Sequence, residues 1–175
     1  MNRLNLKRLE TYGGKSAFLE ELRDTVFHSE IRYHGCAQIL VGSFMRVFDV
    51  NCVELFMAAS PFVGGIALTG RTCGALIGGL MVAGLVFGRQ KVEEGQEGIL
   101  RGIKPMRKIV KFFVDRYGSV NCNDLTSVDL ANPEQARDYF ASGGVERCAS
   151  VMAETAMFVG EIIYGEFEKR KHQGG

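Results

Sequence analysis

Apolar residues recur every three to four positions along most of this chain, the period of a helix that buries one face. After Ser16, a residue type that caps helices, Phe18, Leu22 and Val26 form a first stripe, joined by Leu19 and Phe27. Cys36, Leu40, Phe44, Val47 and Phe48 form a second. A shorter apolar segment from Val53 to Phe56 follows Asn51, and a glycine-rich connector runs from Pro61 to Gly70. The next predicted helix spans Gly74 to Gly88. Ile99, Ile103, Met106, Val110, Phe113 and Tyr117 then step like positions a and d; Pro105 is predicted to kink that helix or mark its true start, and Gly118 to end it. Asn132-Pro133-Glu134-Gln135 combines a capping residue, a proline at the first helical position and a glutamine at the third. That short helix is expected to stop near Gly143-Gly144, and a last stripe carries Cys148, Met152, Thr155, Val159, Ile162 and Phe167. No alternating strand pattern exceeds a few residues, and there is no internal repeat. The pattern predicts one all-α domain over residues 1–175, a bundle of about six helices with the glycine-rich one at its centre. Residues 1–14 are expected as an N-terminal arm and residues 170–175 as a frayed polar tail.

Composition narrows the function more than the fold. A chain of 175 residues with 46% hydrophobic content can bury a sizeable core. Its net charge of +1 leaves no basic stripe for nucleic acid, and Lys104 to Lys111 read as a solvated helix face. The opening MNRLNLKRLE lacks the apolar core of a secretion signal. Thr72 to Gly88 is uncharged but covers 17 positions. A membrane span needs about 20 apolar residues, so a buried central helix is the expectation and no membrane span. The five cysteines, Cys36, Cys52, Cys73, Cys122 and Cys148, are odd in number and form no CxxC pair. That argues against a disulfide framework and against the usual zinc and thioredoxin spacings. A cytoplasmic location with reduced thiols is expected.

The stretch GRTCGALIGG, Gly70 to Gly79, concentrates the candidate chemistry. With Thr72 as cap, Cys73 falls in the first helical turn, where free N–H groups, the helix dipole and Arg71 would favour a thiolate. Gly74 and Gly78 lie one turn apart, as do Gly84 and Gly88, and make a flat helix face. Each glycine costs roughly 1 kcal/mol of helix stability against alanine, so the run calls for a compensating contact. Close packing of another helix is the commoner reason; space beside a cofactor or a second subunit is the sharper one. Cys36 and Cys148 each begin the apolar stripe of a helix near its N-terminal end, and Cys122 lies in a loop or single turn. Each could equally be a small buried hydrophobe. His34 could ligate a metal or tune a thiol. Glu54 and Asp124 are candidate acids, but no catalytic carboxylate pair, hydrolase triad or lysine-bearing phosphate loop is present.

These blocks together resemble the C_GCAxxG_C_C family, a family of redox-active proteins marked by four cysteines, one of them in CGAxxG. Cys73-Gly74-Ala75-Leu76-Ile77-Gly78 matches that motif. Cys36 to Gln38 matches the first block, Cys122 to Thr126 the third and the segment around Cys148 the fourth. Cys52 is extra to the pattern. The resemblance implies a small helical protein with a cysteine site at Cys36, Cys73, Cys122 and Cys148, and with Gly74 and Gly78 making room beside it. Three functions follow as expectations. One is redox chemistry, either a 2Fe–2S cluster on the four thiols or a dithiol cycling with a disulfide, with a redox partner of unknown kind. Another is a helical binding or homodimer module with structural cysteines. The third is a single zinc or copper ion on the same thiols. No CxxCH is present for covalent haem.

Overall fold

A computed structural model describes residues 5–173, which form eight α-helices and, among themselves, no strand. After a 3-10 turn at Leu6–Thr11 come α1 (Lys15–Tyr33), α2 (Cys36–Val47), α3 (Val53–Ala58) and a second 3-10 turn at Ser60–Phe62. Then follow α4 (Gly74–Phe87), a 3-10 turn at Val92–Glu94, α5 (Gly95–Tyr117), α6 (Cys122–Thr126), α7 (Pro133–Tyr139) and α8 (Val145–Gln173). The all-α bundle is as the periodicity predicts. The count rises from about six to eight because the Val53 segment and the Cys122 turn are both helical.

The glycine-rich helix is central. α4 packs against α2, α5 and α8, while α1 lies along α8. Phe18, Leu40, Phe44, Ile109, Phe113 and Ile163 are fully buried between these helices. A helix apolar on all sides belongs in such a position. No single helix among the described residues is long and apolar enough to cross a membrane.

Gly74 and Gly78 explain how α4 fits. A Cβ on Gly74 would stand 2.9 Å from Cys36 Cβ and 2.6 Å from the Phe62 carbonyl oxygen. One on Gly78 would stand 3.1 Å from the Ala37 Cα and from its carbonyl oxygen. The flat face is therefore filled by the backbone of α2 in the same chain. Gly79, on another side, faces Val159 and Thr155 of α8.

Several boundaries differ from the expectation. α1 begins at Lys15 after Gly14, so Ser16 lies inside the first turn and does not cap it. α5 passes through Pro105 and starts ten residues before it. Its upstream turns are held by packing, since Gly98 sits against Glu94 and Arg89 and Gly102 against the Phe87 carbonyl. The expected N-terminal arm is docked over its described part. Leu6 and Leu9 are buried, and the Arg8 side chain donates to the Val47 carbonyl at 3.1 Å. The tail expected to fray continues as the end of α8 to Gln173, with Arg170 paired to Glu166 at 2.7 Å. Residues 1–4 of the arm and 174–175 of the tail lie outside the described residues. α7 stops as predicted. A five-residue π segment follows it, broken at Ser142 and at Gly143 with φ +87°.

Gly78→Leu should overpack the α2–α4 contact and lower stability by about 2 kcal/mol. For a chain of this size that is a fall in Tm of about 4–8 °C, read by circular dichroism during heating.

Candidate functional site

Two chain segments far apart in sequence are clamped together at the start of α4 and α6. Thr72 and Asn121 form an isolated antiparallel bridge. The Cys73 N–H donates to the Val120 carbonyl at 2.7 Å, and the Cys122 N–H donates to the Arg71 carbonyl at 2.8 Å. The Asn123 N–H adds a bond to the Gly70 carbonyl at 3.0 Å. In an extended pair, side chains alternate between faces. Cys73 and Cys122 each follow a residue of the central pair, so both leave on the same face, diagonally across from one another. The clamp needs Gly70, which has φ +69° and whose absent Cβ makes way for the Asn123 side chain.

The second pair of thiols arrives through helix packing. Cys36 is the first residue of α2, and the close approach at Gly74 sets it beside the start of α4. Cys148 lies in the first turn of α8, below the break at Gly143. All four cysteines line one cavity of about 280 Å³. Its remaining wall is largely apolar and includes Val63, Leu125, Leu130, Val145 and Met152. Gly74 and Gly78 are not part of that wall; their place is against α2.

Part of the wall is an unusual loop. Gly64, Gly65, Ile66, Ala67 and Leu68 all have φ between +51° and +71°. Positive φ costs an L-residue roughly 1–2 kcal/mol and is a genuine outlier for a β-branched side chain such as Ile66. The segment is held by bonds from the Leu68 N–H to the Val63 carbonyl at 3.0 Å and from the Arg71 N–H to the Gly65 carbonyl at 3.0 Å. It brings Gly64 into the cavity wall, with its amide near the Cys36 sulfur.

Cys36, Cys73 and Cys148 all have pKa values raised above that of a free thiol. For Cys73 the neighbouring Cys122 thiol is the largest cause and burial the second; together they raise its pKa well above that of a free thiol. The Ala75 and Leu76 amides oppose this, although neither makes a capping bond of normal geometry to the sulfur. The thiolate expected from a helix start is thus outweighed. Cys73 is itself the N-cap of α4, because Thr72 is committed to the bridge. Arg71 contributes its carbonyl to that clamp, and its side chain is exposed outside the cavity wall. Burial, then the carboxyl of Glu30, raises Cys36, while burial pushes Cys148 up to about 11. The Tyr139 hydroxyl lies 3.7 Å from the Cys148 sulfur.

Other candidates lie elsewhere. Cys52 is the N-cap of α3, where its thiol meets the Glu54 carboxylate at 3.7 Å, away from the cavity. Asp124 is exposed and accepts from Ser119 and from Asn121, bracing the loop before α6. His34 does line the cavity, at its exposed mouth, with Arg147.

The residue that reading the sequence missed is Glu30. It lines the cavity at 4% exposure, and its Oε2 has no hydrogen-bond partner among the described residues. A signal was present: Glu30 continues the stripe Phe18, Leu22, Val26 at the same four-residue step, so a carboxyl had to enter the core. Burial pushes its pKa up to about 7, with the Gly35 amide opposing.

Four thiols suit a soft metal in donor chemistry. Among the described residues, however, no three Cys, His, Asp or Glu side chains are gathered closely enough to hold an ion. The sulfurs are distributed over the wall of a cavity. His34 likewise joins no such group.

The carboxyl of Glu30 has a measurable consequence. A raised folded-state pKa means that the native state holds the proton more tightly, so stability is full at acid pH and falls as pH rises. The fall should run from about pH 4.5 to about pH 7. Denaturant melts across this range should show it, and Glu30→Gln should flatten that part of the profile.

Comparison with known proteins agrees with this geometry. The family model described as "Putative redox-active protein (C_GCAxxG_C_C)" matches residues 34–162, which contain all four cavity cysteines. An uncharacterised protein of Archaeoglobus fulgidus is 35% identical over 85 residues, 45% of this chain and 56% of the relative's length. The match therefore spans less than two thirds of that relative. No solved structure matches. With the family model covering most of the chain and its cysteines meeting in one cavity, the protein belongs to the C_GCAxxG_C_C redox-active family.

Proposed function

We propose that the protein is a dithiol–disulfide redox protein whose working pair is Cys73 and Cys122. The observation that carries this reading is the Thr72–Asn121 clamp, which sends both thiols to the same face at the mouths of two helices. The chemistry is a two-electron step. Each thiol gives up its proton, the two sulfurs join at about 2.05 Å, and two electrons pass to an acceptor. The neighbouring Cys122 thiol and then burial raise the pKa of Cys73, so its thiolate is disfavoured. Cys36 and Cys148 border the same cavity, and the Glu30 carboxyl disfavours negative charge on both.

The arrangement favours the dithiol form over the 2Fe–2S form and over a single zinc or copper ion, since the sulfurs do not gather at ligand spacing. The homodimer module loses its main support, because Gly78 is already covered by Ala37 of the same chain.

The test uses protein purified without oxygen. Thiol titration before and after diamide should show a loss of two thiols per chain, reversed by dithiothreitol. Peptide mapping should find the Cys73–Cys122 disulfide. Cys73→Ser and Cys122→Ser should each abolish it, while Cys52→Ser leaves it in place. Stoichiometric iron and acid-labile sulfide that are lost in Cys73→Ser would replace this reading with a cluster protein.

A further inference from the structure

Two stretches of the chain are long and carry no charge. Thr72 to Gly88 is explained by the burial of α4, but Leu55 to Gly70 lies largely at the surface. Neither α3 nor the 3-10 turn at Ser60–Phe62 has a buried residue. Val53, Phe56, Met57, Ile66 and Leu68 are 59%, 38%, 63%, 39% and 44% exposed. Short bonds gather them on one face. The Phe62 N–H donates to the Ala59 carbonyl at 3.3 Å, and the Ala67 N–H donates to the Pro61 carbonyl at 2.7 Å, so the loop folds back on the end of α3. Exposed apolar residues elsewhere, such as Leu100 and Val114 of α5, share their helix with exposed Lys104, Arg107 and Lys108; these do not. Five large side chains at such exposure present roughly 400 Å² of apolar surface, about the largest patch a monomer ordinarily shows. With the smaller residues among and around them, the face reaches on the order of 800 Å², the share each partner gives to a standard interface.

We propose that this face is the interface of a symmetric homodimer, with α3 and the Ile66–Leu68 segment of one copy packed on the same face of a second copy. Area and the absence of charge both point to self-association. A site for a different, transient partner is normally marked by charge that steers and selects it. The cores of homodimer interfaces are instead apolar and poor in charge. In a two-fold pairing the same patch meets itself, so a charge near the axis would face its own copy; this stretch has none. A bilayer surface fits less well, because no Lys or Arg within the stretch can meet lipid headgroups. Backbone strain adds a reason for cover. Ile66, Ala67 and Leu68 hold positive φ while exposed, and such conformations persist where their surroundings hold them. The interface is separate from the glycine stripe of α4, which α2 fills, and it does not depend on the dithiol reading. It does reach the site: Val63 and Gly64 of this segment line the thiol cavity, so a second copy braces that wall from outside.

Sedimentation velocity on the full, reduced chain is the test. At about 10 μM, where an interface of standard size is occupied, the mass should be twice the 19.3 kDa of one chain. Met57→Glu sets like charges together at the interface and should weaken the dimer at least about tenfold, with the circular dichroism spectrum unchanged. Val92→Glu, at a position 70% exposed but outside the stretch, should leave the dimer intact. Hydrogen exchange of the unmodified protein gives a readout that needs no variant: the amides of Val53 to Leu68 should be protected at high concentration and lose that protection on dilution. A single-chain mass at about 100 μM would overturn the dimer, since a standard interface is far tighter. A dimer that survives Met57→Glu, or whose concentration-dependent protection falls on another element, would overturn this interface. A single-chain mass together with flotation on phosphatidylcholine vesicles would put a bilayer in place of the second copy. None of these outcomes bears on whether diamide forms the Cys73–Cys122 disulfide, so the two readings fail separately.

Discussion

The contact between Gly74 and Cys36 is the constraint on which the site depends. With no Cβ on Gly74, the first turn of α4 comes down onto the first turn of α2. Gly78 repeats the approach one turn further on, against the Ala37 backbone. Two helix starts, each bearing a thiol, are thereby brought to the same wall. The glycines weaken the helix locally, by roughly 1 kcal/mol each against alanine. Burial of α4 on three other helices offsets that loss, since the neighbours of a core helix supply its stability more than its own propensity does.

The second constraint is a backbone clamp. The residues before α4 and before α6 are extended, and they pair for a single bridge. That bridge orients Cys73 and Cys122 as two side chains of one sheet face are oriented, although the protein has no sheet among its described residues. The positive-φ segment from Gly64 to Leu68 brings Gly64 into the cavity wall beside Cys36. Backbone held in such sparsely populated conformations is stored strain, and it concentrates at sites that do chemistry.

Electrostatics inside the cavity run against the simplest expectation for reactive cysteines. A thiol at a helix start is commonly a thiolate, yet here burial and a neighbouring thiol outweigh the helix amides for Cys73. Glu30 adds to this by disfavouring negative charge on Cys36 and Cys148. The cavity thus favours the protonated form of Cys36, Cys73 and Cys148.

The helical class, the central place of the glycine-rich helix and the stop at Gly143 were legible in the chain, because burial of a helix leaves a 3.6-residue imprint on residue type. The four site cysteines were legible as blocks through the resemblance to the family motif, and all four sit where a helix begins. Two features depended on the tertiary structure. The Thr72–Asn121 bridge joins residues 49 positions apart and is too short to leave an alternating pattern, so only the folded chain could reveal it. Glu30 stood in plain view on the stripe of α1, but the cost of burying a carboxyl depends on what surrounds it. Sequence determined which residues would turn inward. The packing of α2 against α4 and the clamp before α6 decided which of them would meet, because those distances are set by the absence of atoms at Gly74 and Gly70 and not by any local preference.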